Sequence, residues 1–287
     1  ADLLVTGCFS FDDQTFRIDA RVINIHSTEI EKAFYQEAKT GEVLTAVTGT
    51  IEGIARALSG DKAAEKPAEG LYPQTREAIL YFSRGADFYD RGEYEKAAAS
   101  INRALSVDPE YIFGRWEVAR IYEERLGEFD RALESYARVL ADSPDRETRE
   151  KTLLRLAMIN YRYRKDYKKA IGYFTRIDTD FPDSVYNDIV LYSLGHSYQR
   201  LGKYDNALDC YRRAIEDNPY SPLRGSLLLR AGQCCYRRGD YPGARRFLEK
   251  ARDSYGNTVF KNEPGRAPIT IGEAAAPYIV RLTGQSH

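Results

Sequence analysis

Histidine and cysteine, the side chains that most often build metal and catalytic centres, are scarce in this sequence of 287 residues. The three histidines, His26, His196 and His287, lie far apart, and the four cysteines lack the C-x-x-C spacing of zinc sites. No P-loop, H-E-x-x-H or G-x-S-x-G motif is present. We therefore predict no metal, no cofactor and no enzymatic activity.

The cysteines need a different interpretation. Cys8, Cys210, Cys234 and Cys235 are too few for a disulfide scaffold. We interpret all four as small, buried packing residues, with redox chemistry at the adjacent pair as the alternative.

An excess of charge and a long apolar run are also missing. Lys and Arg number 42 against 43 Asp and Glu, with a pI near 6.4, so we expect no nucleic-acid partner. No window approaches the roughly 18 apolar residues of a membrane span, and we expect none. The basic and aromatic run at residues 161–170 is interpreted as a solvated turn rather than a nucleic-acid surface.

Small residues at helical spacing among aromatic ones are abundant. Within LGHSYQRLGKYDNALDCYRRAIEDNP, residues 194–219, Gly195 sits inside a helical pattern. A helical glycine costs about 1 kcal/mol relative to alanine, so we predict that a second helix passes close to it. Gly202 marks the turn between the two helices, and Pro219 ends the second.

This helix pair is repeated along the chain. Copies span residues 78–111 and 112–146, the latter with one extra residue that we place in the turn. A third runs from Ala157 to Pro182 and a fourth spans 188–221. The last, beginning at Gly232, lacks the closing proline. One pair cannot bury its apolar face alone, so the copies should stack.

The period of about 34 residues and the order of small and aromatic residues resemble the tetratricopeptide repeat (TPR) family. The resemblance implies a mostly α fold, a right-handed α-solenoid of about five helix-turn-helix repeats over residues 76–256, whose concave groove binds a peptide or protein partner. It also implies which residues face that groove. We predict a partner-binding site formed by Trp116, Arg120, Tyr161, Arg162, Tyr192, His196, Gln199, Arg200, Arg230, Gln233, Tyr236 and Arg237.

Such a groove suits a partner with acidic and apolar side chains, because arginine pairs with carboxylates and tyrosine supplies rigid contact area. A titrating His196 would make this binding sensitive to pH. The alternative is that these residues form a solvated helix face, with some tyrosines buried between repeats.

The N-terminal residues follow another pattern. LLVTGCFSF at 3–11, TFRIDARV at 15–22 and EIEKAFYQEA at 29–38 predict three strands of a β-meander, and an amphipathic helix is expected over 41–59. VTGC at 5–8 is close to a lipidation box, but the charged and apolar context of that signal is missing and the hairpin explains the residues better.

This N-terminal unit resembles part of the small α/β domain of TolB-like and CsgG-like envelope proteins. That domain has further strands and a helix, so we expect either that the sequence is part of a longer chain or that a partner covers a strand edge. Self-association through that edge, giving a homo-oligomer with the solenoid as a spacer, is the alternative function.

We therefore predict an α/β unit at 1–60, a linker at 61–75, the solenoid at 76–256, and a loop with a capping helix at 257–287. That helix, near 270–283, is expected to be interrupted or to start near Pro277. The segments DFPDS (180–184) and NPYSP (218–222) resemble repeat links of bacterial envelope lipoproteins that assemble outer-membrane proteins. We expect a bacterial periplasmic or envelope location, with the cytoplasm as the alternative, and a scaffold function.

Overall fold

The computed structural model describes residues 3–11, 15–24, 30–39, 47, 49–54, 75–142, 145–261 and 267–284. They belong to two compact units, Ala1–Asp145 and Arg146–His287, called the first and the second unit below. The predicted linker residues 61–74, Pro144 and most of the predicted helix at 41–59 lie outside the described residues. The predicted domain boundaries stay predictions.

The first unit begins with an antiparallel meander in the order β1-β2-β3. The strands are β1 (Leu3–Phe11), β2 (Thr15–Asn24) and β3 (Ile30–Lys39), which confirms the three predicted strands. Gly7 pairs with Ala20 and Cys8 with Asp19, so VTGC is part of a strand. Residues 49–54 are helical, as predicted for that stretch, and form α1.

Two helix pairs complete the first unit. They are α2 (Arg76–Asp90) with α3 (Tyr94–Val107), and α4 (Ile112–Ile121), continued by a π-helical turn at Tyr122–Leu126, with α5 (Phe129–Asp142). The hydroxyl of Thr75 accepts a hydrogen bond from the backbone N–H of Ala78 at 3.1 Å and caps the start of α2.

The second unit holds three more pairs and a final helix. The pairs are α6 (Arg146–Met158), continued by a π-helical turn at Ile159–Arg164, with α7 (Tyr167–Asp180); α8 (Asn187–Arg200) with α9 (Tyr204–Asp217); and α10 (Arg224–Arg237) with α11 (Tyr241–Tyr255). Two short antiparallel strands, β4 (Val259–Lys261) and β5 (Ile269–Thr270), precede α12 (Ile271–Gly284). This strand pair was not predicted.

The small residues lie where the helices of a pair touch, as predicted. A Cβ on Gly195 would lie 2.7 Å from Cε1 of Tyr211 in the partner helix, and one on Gly232 would lie 2.6 Å from Cγ of Leu248. No side chain fits at such distances, so glycine allows the backbones to approach. Within the described residues, no helix combines the length and apolar character needed to cross a bilayer.

The extra residue predicted for the turn of the second copy is placed differently. Gly127 and Glu128 form a turn of the same length as Gly202 and Lys203 in the fourth copy. The additional residue lies in the preceding π-helical turn, which widens the end of the first helix. The prediction was wrong on this point. The extra residue widens the last turn of the first helix, and the turn between the helices is unchanged, with Gly127 in the left-handed conformation at φ of 66°.

The final helix also differs from the prediction. It runs from Ile271 to Gly284 without a break, with Pro277 inside it. Ile271, Ala275 and Ile279 are buried in one cluster with residues of α10 and α11. This packing retains the helix despite the hydrogen bond that proline cannot donate, and it covers the end of the last pair, as a capping helix should.

Candidate functional site

Two neighbouring cavities lie in the second unit, and their walls come mainly from α8, α10 and the π-helical turn after α6, with single residues from α7, α9 and α12. The first, the aromatic cavity, measures about 450 Å³. It is lined by Tyr161, Arg162, Lys165, Tyr167, Ile189, Tyr192, Ser193, His196 and Leu223. The second, the arginine cavity, measures about 350 Å³ and is lined by His196, Gln199, Arg200, Tyr204, Arg230, Gln233, Arg237 and Tyr278. His196 belongs to both.

His196 is held between aromatic side chains from two helix pairs. Its Nδ1 lies 2.7 Å from the hydroxyl oxygen of Tyr161, and the two rings meet edge to face at 5.6 Å. The ring of Tyr192 stacks on that of His196, with ring centroids 6.4 Å apart. The hydrogen bond therefore joins the π-helical turn after α6 to α8.

The electrostatic surroundings keep His196 neutral. Burial, assisted by the charges of Arg230 and Arg200, lowers the pKa of His196 to about 3. Burial raises the pKa of Tyr161 to about 12, so its hydroxyl keeps its proton, and the tautomer of His196 sets which of the two groups donates the hydrogen bond. The expectation that His196 titrates near neutral pH and makes binding pH-sensitive was therefore wrong, because sequence spacing does not reveal how deeply the ring is buried.

The arginine cavity carries positive charge that its own walls do not neutralise. Neither cavity is lined by an aspartate or a glutamate. Arg200 lies over the ring of Tyr167 at 5.4 Å and Arg230 over that of Phe260 at 5.0 Å. Aromatic faces stabilise a guanidinium but leave its charge in place.

The three guanidinium groups also lack acidic partners elsewhere. Within the described part of the chain, Arg200, Arg230 and Arg237 form no salt bridge, and the buried Nε of Arg230 donates to no acceptor. Arg200 and Arg237 are exposed, but Nε of Arg230 is buried, and a charge held away from water is costly unless it is paired. The arrangement therefore favours an anionic group supplied from outside the chain.

The cysteines of the second unit lie in its core. Cys210, Cys234 and Cys235 are free and buried, which confirms them as packing residues, and burial raises the pKa of Cys210 and of Cys234 to about 12. Cys8 lies in β1, and its side chain lies outside the description. Among the described residues, no three metal-binding side chains come together.

Comparison with known families identifies the repeats. Three family models described as tetratricopeptide repeat match residues 82–147, 151–184 and 187–257, together more than half of the chain. The chain belongs to the tetratricopeptide repeat family. The TPR resemblance drawn from its small and aromatic residues is thereby confirmed.

Solved structures agree on the TPR fold. A tetratricopeptide repeat protein from Parabacteroides merdae ATCC 43184 is 19% identical, with a TM-score of 0.56, over 74% of this chain and 75% of that chain. A crystal structure of MamA is 19% identical with a TM-score of 0.52, over 66% of this chain and 98% of that chain. At this identity the likeness concerns the fold. No curated protein matches the sequence significantly.

Most of the predicted site residues of this TPR chain come together. Nine of the predicted residues line the two cavities: Tyr161, Arg162, Tyr192, His196, Gln199, Arg200, Arg230, Gln233 and Arg237. Tyr236 lines neither; its ring packs against those of Tyr241 and Tyr278.

The other two predicted residues lie in the first unit. Trp116 packs edge to face on Tyr136 at 6.3 Å, and Arg120 pairs with Glu117 at 2.6 Å and Glu124 at 3.4 Å. Because Trp116 and Arg120 already interact with neighbouring side chains of the first unit, the prediction that they bind a partner has less support.

Several lining residues were not predicted as site residues. Lys165 comes from a turn, Ile189 and Leu223 from the starts of helices, and Tyr278 from the capping helix. Tyr167 and Tyr204 did carry a signal, since an aromatic residue recurs two positions after the turn residue of each repeat. The TPR pattern covers the repeats and not the elements outside them.

Proposed function

We propose that this TPR protein is a non-catalytic scaffold whose second unit binds an acidic segment of a partner protein. The observation that carries the proposal is the set of five cations lining the two cavities, without a carboxylate among the lining residues: Arg162, Lys165, Arg200, Arg230 and Arg237. Arginine beside half-buried aromatic rings is also the composition enriched at protein interfaces.

The two cavities suggest how a partner segment would be divided between them. Ile189, Tyr192 and Leu223 give the aromatic cavity apolar walls that suit an aliphatic or aromatic side chain. The arginine cavity suits a carboxylate, which two guanidinium groups can chelate. Because His196 belongs to both cavities, neighbouring residues of one extended peptide would occupy them.

A peptide array tests this proposal. Peptides that combine acidic and apolar residues should bind the intact chain, whereas peptides with lysine in place of each acidic residue should not. The variant Tyr192→Ala/Arg200→Ala/Arg237→Ala should lose this binding while keeping its helical circular dichroism. Arg246→Ala, at an exposed arginine of α11 that lines neither cavity, is the matched control. Equal binding by the triple variant would contradict the proposal.

A second candidate function is self-assembly through the sheet. In the order β1-β2-β3, both β1 and β3 are outer strands, and an outer strand offers backbone groups to another chain. Sedimentation should then show a mass that rises with concentration and stops rising when residues 1–60 are deleted. A monomer at all concentrations would contradict this candidate.

We also propose a bacterial periplasmic or envelope location, based on the resemblance of residues 1–25 to TolB-like and CsgG-like proteins and of the repeat links to envelope lipoproteins. Fractionation of the source cells with an antibody against the chain tests it. Recovery with cytoplasmic markers alone would contradict this location.

A further inference from the structure

Hydrogen-bond donors predominate on the walls of the arginine cavity. Each guanidinium has five N–H donors and no acceptor, and Arg200, Arg230 and Arg237 all line this cavity. The hydroxyl of Tyr211 donates to Oε1 of Gln199 at 3.0 Å. That bond occupies the amide oxygen of Gln199 and leaves its NH₂ group to donate. A ligand here must therefore be rich in acceptor oxygens.

The charge of the cavity narrows the class of ligand. Three guanidinium groups face a cavity without a carboxylate, and the neutral His196 adds no charge. A single carboxylate brings one negative charge and two oxygens. A phosphomonoester brings about −1.5 to −2 at neutral pH and three strong acceptor oxygens. The phosphoryl group matches both the charge and the donors more closely.

We propose that the arginine cavity is a binding site for a phosphomonoester, whose organic part lies in the aromatic cavity. This inference rests on the proposed function, since it makes a phosphorylated side chain the acidic group of the partner segment. An aryl phosphate suits both cavities, because its ring can pack against Tyr161 and Tyr192 while its phosphoryl group reaches the arginines across His196.

Titration calorimetry with the intact chain tests the inference on three small probes: phenyl phosphate, phenylacetate and inorganic phosphate. Phenyl phosphate should bind about tenfold more tightly than phenylacetate, because a second charge and a third oxygen add charge-assisted hydrogen bonds. It should also bind more tightly than inorganic phosphate, which leaves the aromatic cavity empty.

The pH dependence separates the two anions further. The phosphoryl group takes up its second proton near pH 6, so binding of phenyl phosphate should weaken between about pH 7.5 and about pH 5. Phenylacetate stays ionised over this range. His196, Arg162, Lys165, Arg200, Arg230 and Arg237 line the two cavities. His196 stays neutral throughout this window, because burial lowers its pKa to about 3.

Single variants locate the site. Arg200→Gln, Arg230→Gln and Arg237→Gln should each weaken binding of phenyl phosphate by about tenfold. Arg200 and Arg237 are exposed, so those two variants should fold even if replacement of the more buried Arg230 disturbs packing. Arg246→Gln removes the same charge from the same unit outside both cavities and should bind normally.

The outcomes distinguish this inference from the proposed function. If phenyl phosphate and phenylacetate bind equally, or if Arg246→Gln weakens binding as much as Arg200→Gln, the phosphomonoester site is wrong, and acidic peptides on the array still decide the proposed function. If phenyl phosphate is preferred but neither acidic nor tyrosine-phosphorylated peptides bind, the site takes a small phosphorylated molecule and the peptide proposal is wrong.

Discussion

The two units place opposite charges at the same step of their repeats. Five residues after the small packing residue of the first helix, the first unit has Asp90 and Glu124, whereas the second unit has Arg162, Arg200 and Arg237. The repeat pattern, which sets the helix packing, is the same in both. Chemistry on a repeat fold thus depends on a few surface positions rather than on the scaffold.

The two units also treat their arginines differently. Arg120 in the first unit pairs with Glu117 and Glu124, and Arg115 pairs with Asp142. Arg230 in the second unit has aromatic neighbours and no salt bridge within the described residues. The second unit also pairs Arg213 with Asp178 and Arg238 with Asp205. The contrast therefore concerns the arginines that line the cavities, whose charge no carboxylate of the described residues neutralises.

Replacing the cavity arginines of the second unit by acidic residues, as the first unit has at the same repeat position, should have the largest effect on ligand binding. In Arg200→Glu/Arg237→Glu, two repulsive carboxylates replace two donors, so binding of phenyl phosphate and of acidic peptides should fall by about a hundredfold or more. Titration calorimetry measures it. Arg246→Glu, outside both cavities, is the control, and a double variant that still binds would mean that the arginine cavity is not the site.

Overpacking the shared helix contact should break both units alike. A Cβ on Gly195 would lie 2.7 Å from Tyr211, and one on Gly85 would lie 2.7 Å from Ile101. Gly195→Leu and Gly85→Leu should each lower the free energy of unfolding by about 1–3 kcal/mol or more, measured by urea denaturation.

Gly172 in α7 supplies the control for these variants, because nothing lies within 4 Å of a Cβ built there. Gly172→Ala should therefore stabilise the protein by up to about 1 kcal/mol, through helix propensity alone. Unchanged stability in Gly195→Leu would show that the assigned helix contact is wrong.

The buried neutral histidine should give the second unit a stability that depends on pH. The pKa of His196 is about 3 in the folded chain against 6.5 as its ordinary value. As the pH falls below 6.5, the unfolded chain takes up a proton there and the folded chain does not, so the free energy of unfolding decreases. His196→Asn removes this contribution.

When the pH falls from about 7 to about 5, the free energy of unfolding of the unmodified chain should therefore decrease by up to about 2 kcal/mol more than that of His196→Asn. Urea denaturation at the two pH values measures the difference. Parallel losses in both proteins would show that His196 titrates normally when folded.

The sequence predicts the helix pairs well, because small residues such as Gly195 must lie where helices touch. The sequence also contains a local pattern that distinguishes Arg120 of the first unit, which forms salt bridges, from Arg230 of the second unit, which forms none within the described residues. Glu117 and Glu124 flank Arg120 at the spacing of helical ion pairs, whereas Leu227 and Cys234 occupy those positions around Arg230. The pairing of Arg120 was therefore predictable from local sequence.

Other features depend on tertiary packing and leave no local signal. Tyr278 reaches the arginine cavity from a helix outside the repeats, and the pKa of His196 follows from burial by residues distant in sequence. The position of the extra residue near Tyr122 depends on whether inserting it into the helix or into the turn costs less free energy. The period of the repeat does not decide this.

The turns of the repeats provide the smallest expected effect. Each turn needs a residue with positive φ, and Gly92, Gly127, Gly202 and Gly239 supply it. In the third copy, within the second unit, Lys165 holds this position with φ of 54°. A side chain strains the left-handed conformation, whereas glycine adopts it freely.

Lys165→Gly should therefore raise the free energy of unfolding by about 0.5–1 kcal/mol, since the relieved strain exceeds the entropy that glycine adds to the unfolded chain. Urea denaturation measures the gain, and Gly202→Ala should show a loss of similar size. A destabilised Lys165→Gly would mean that the lysine side chain stabilises the turn by its own contacts. Because Lys165 lines the aromatic cavity and not the arginine cavity, the same variant should keep its affinity for inorganic phosphate within about twofold, which separates the strain of this turn from the charge of the site.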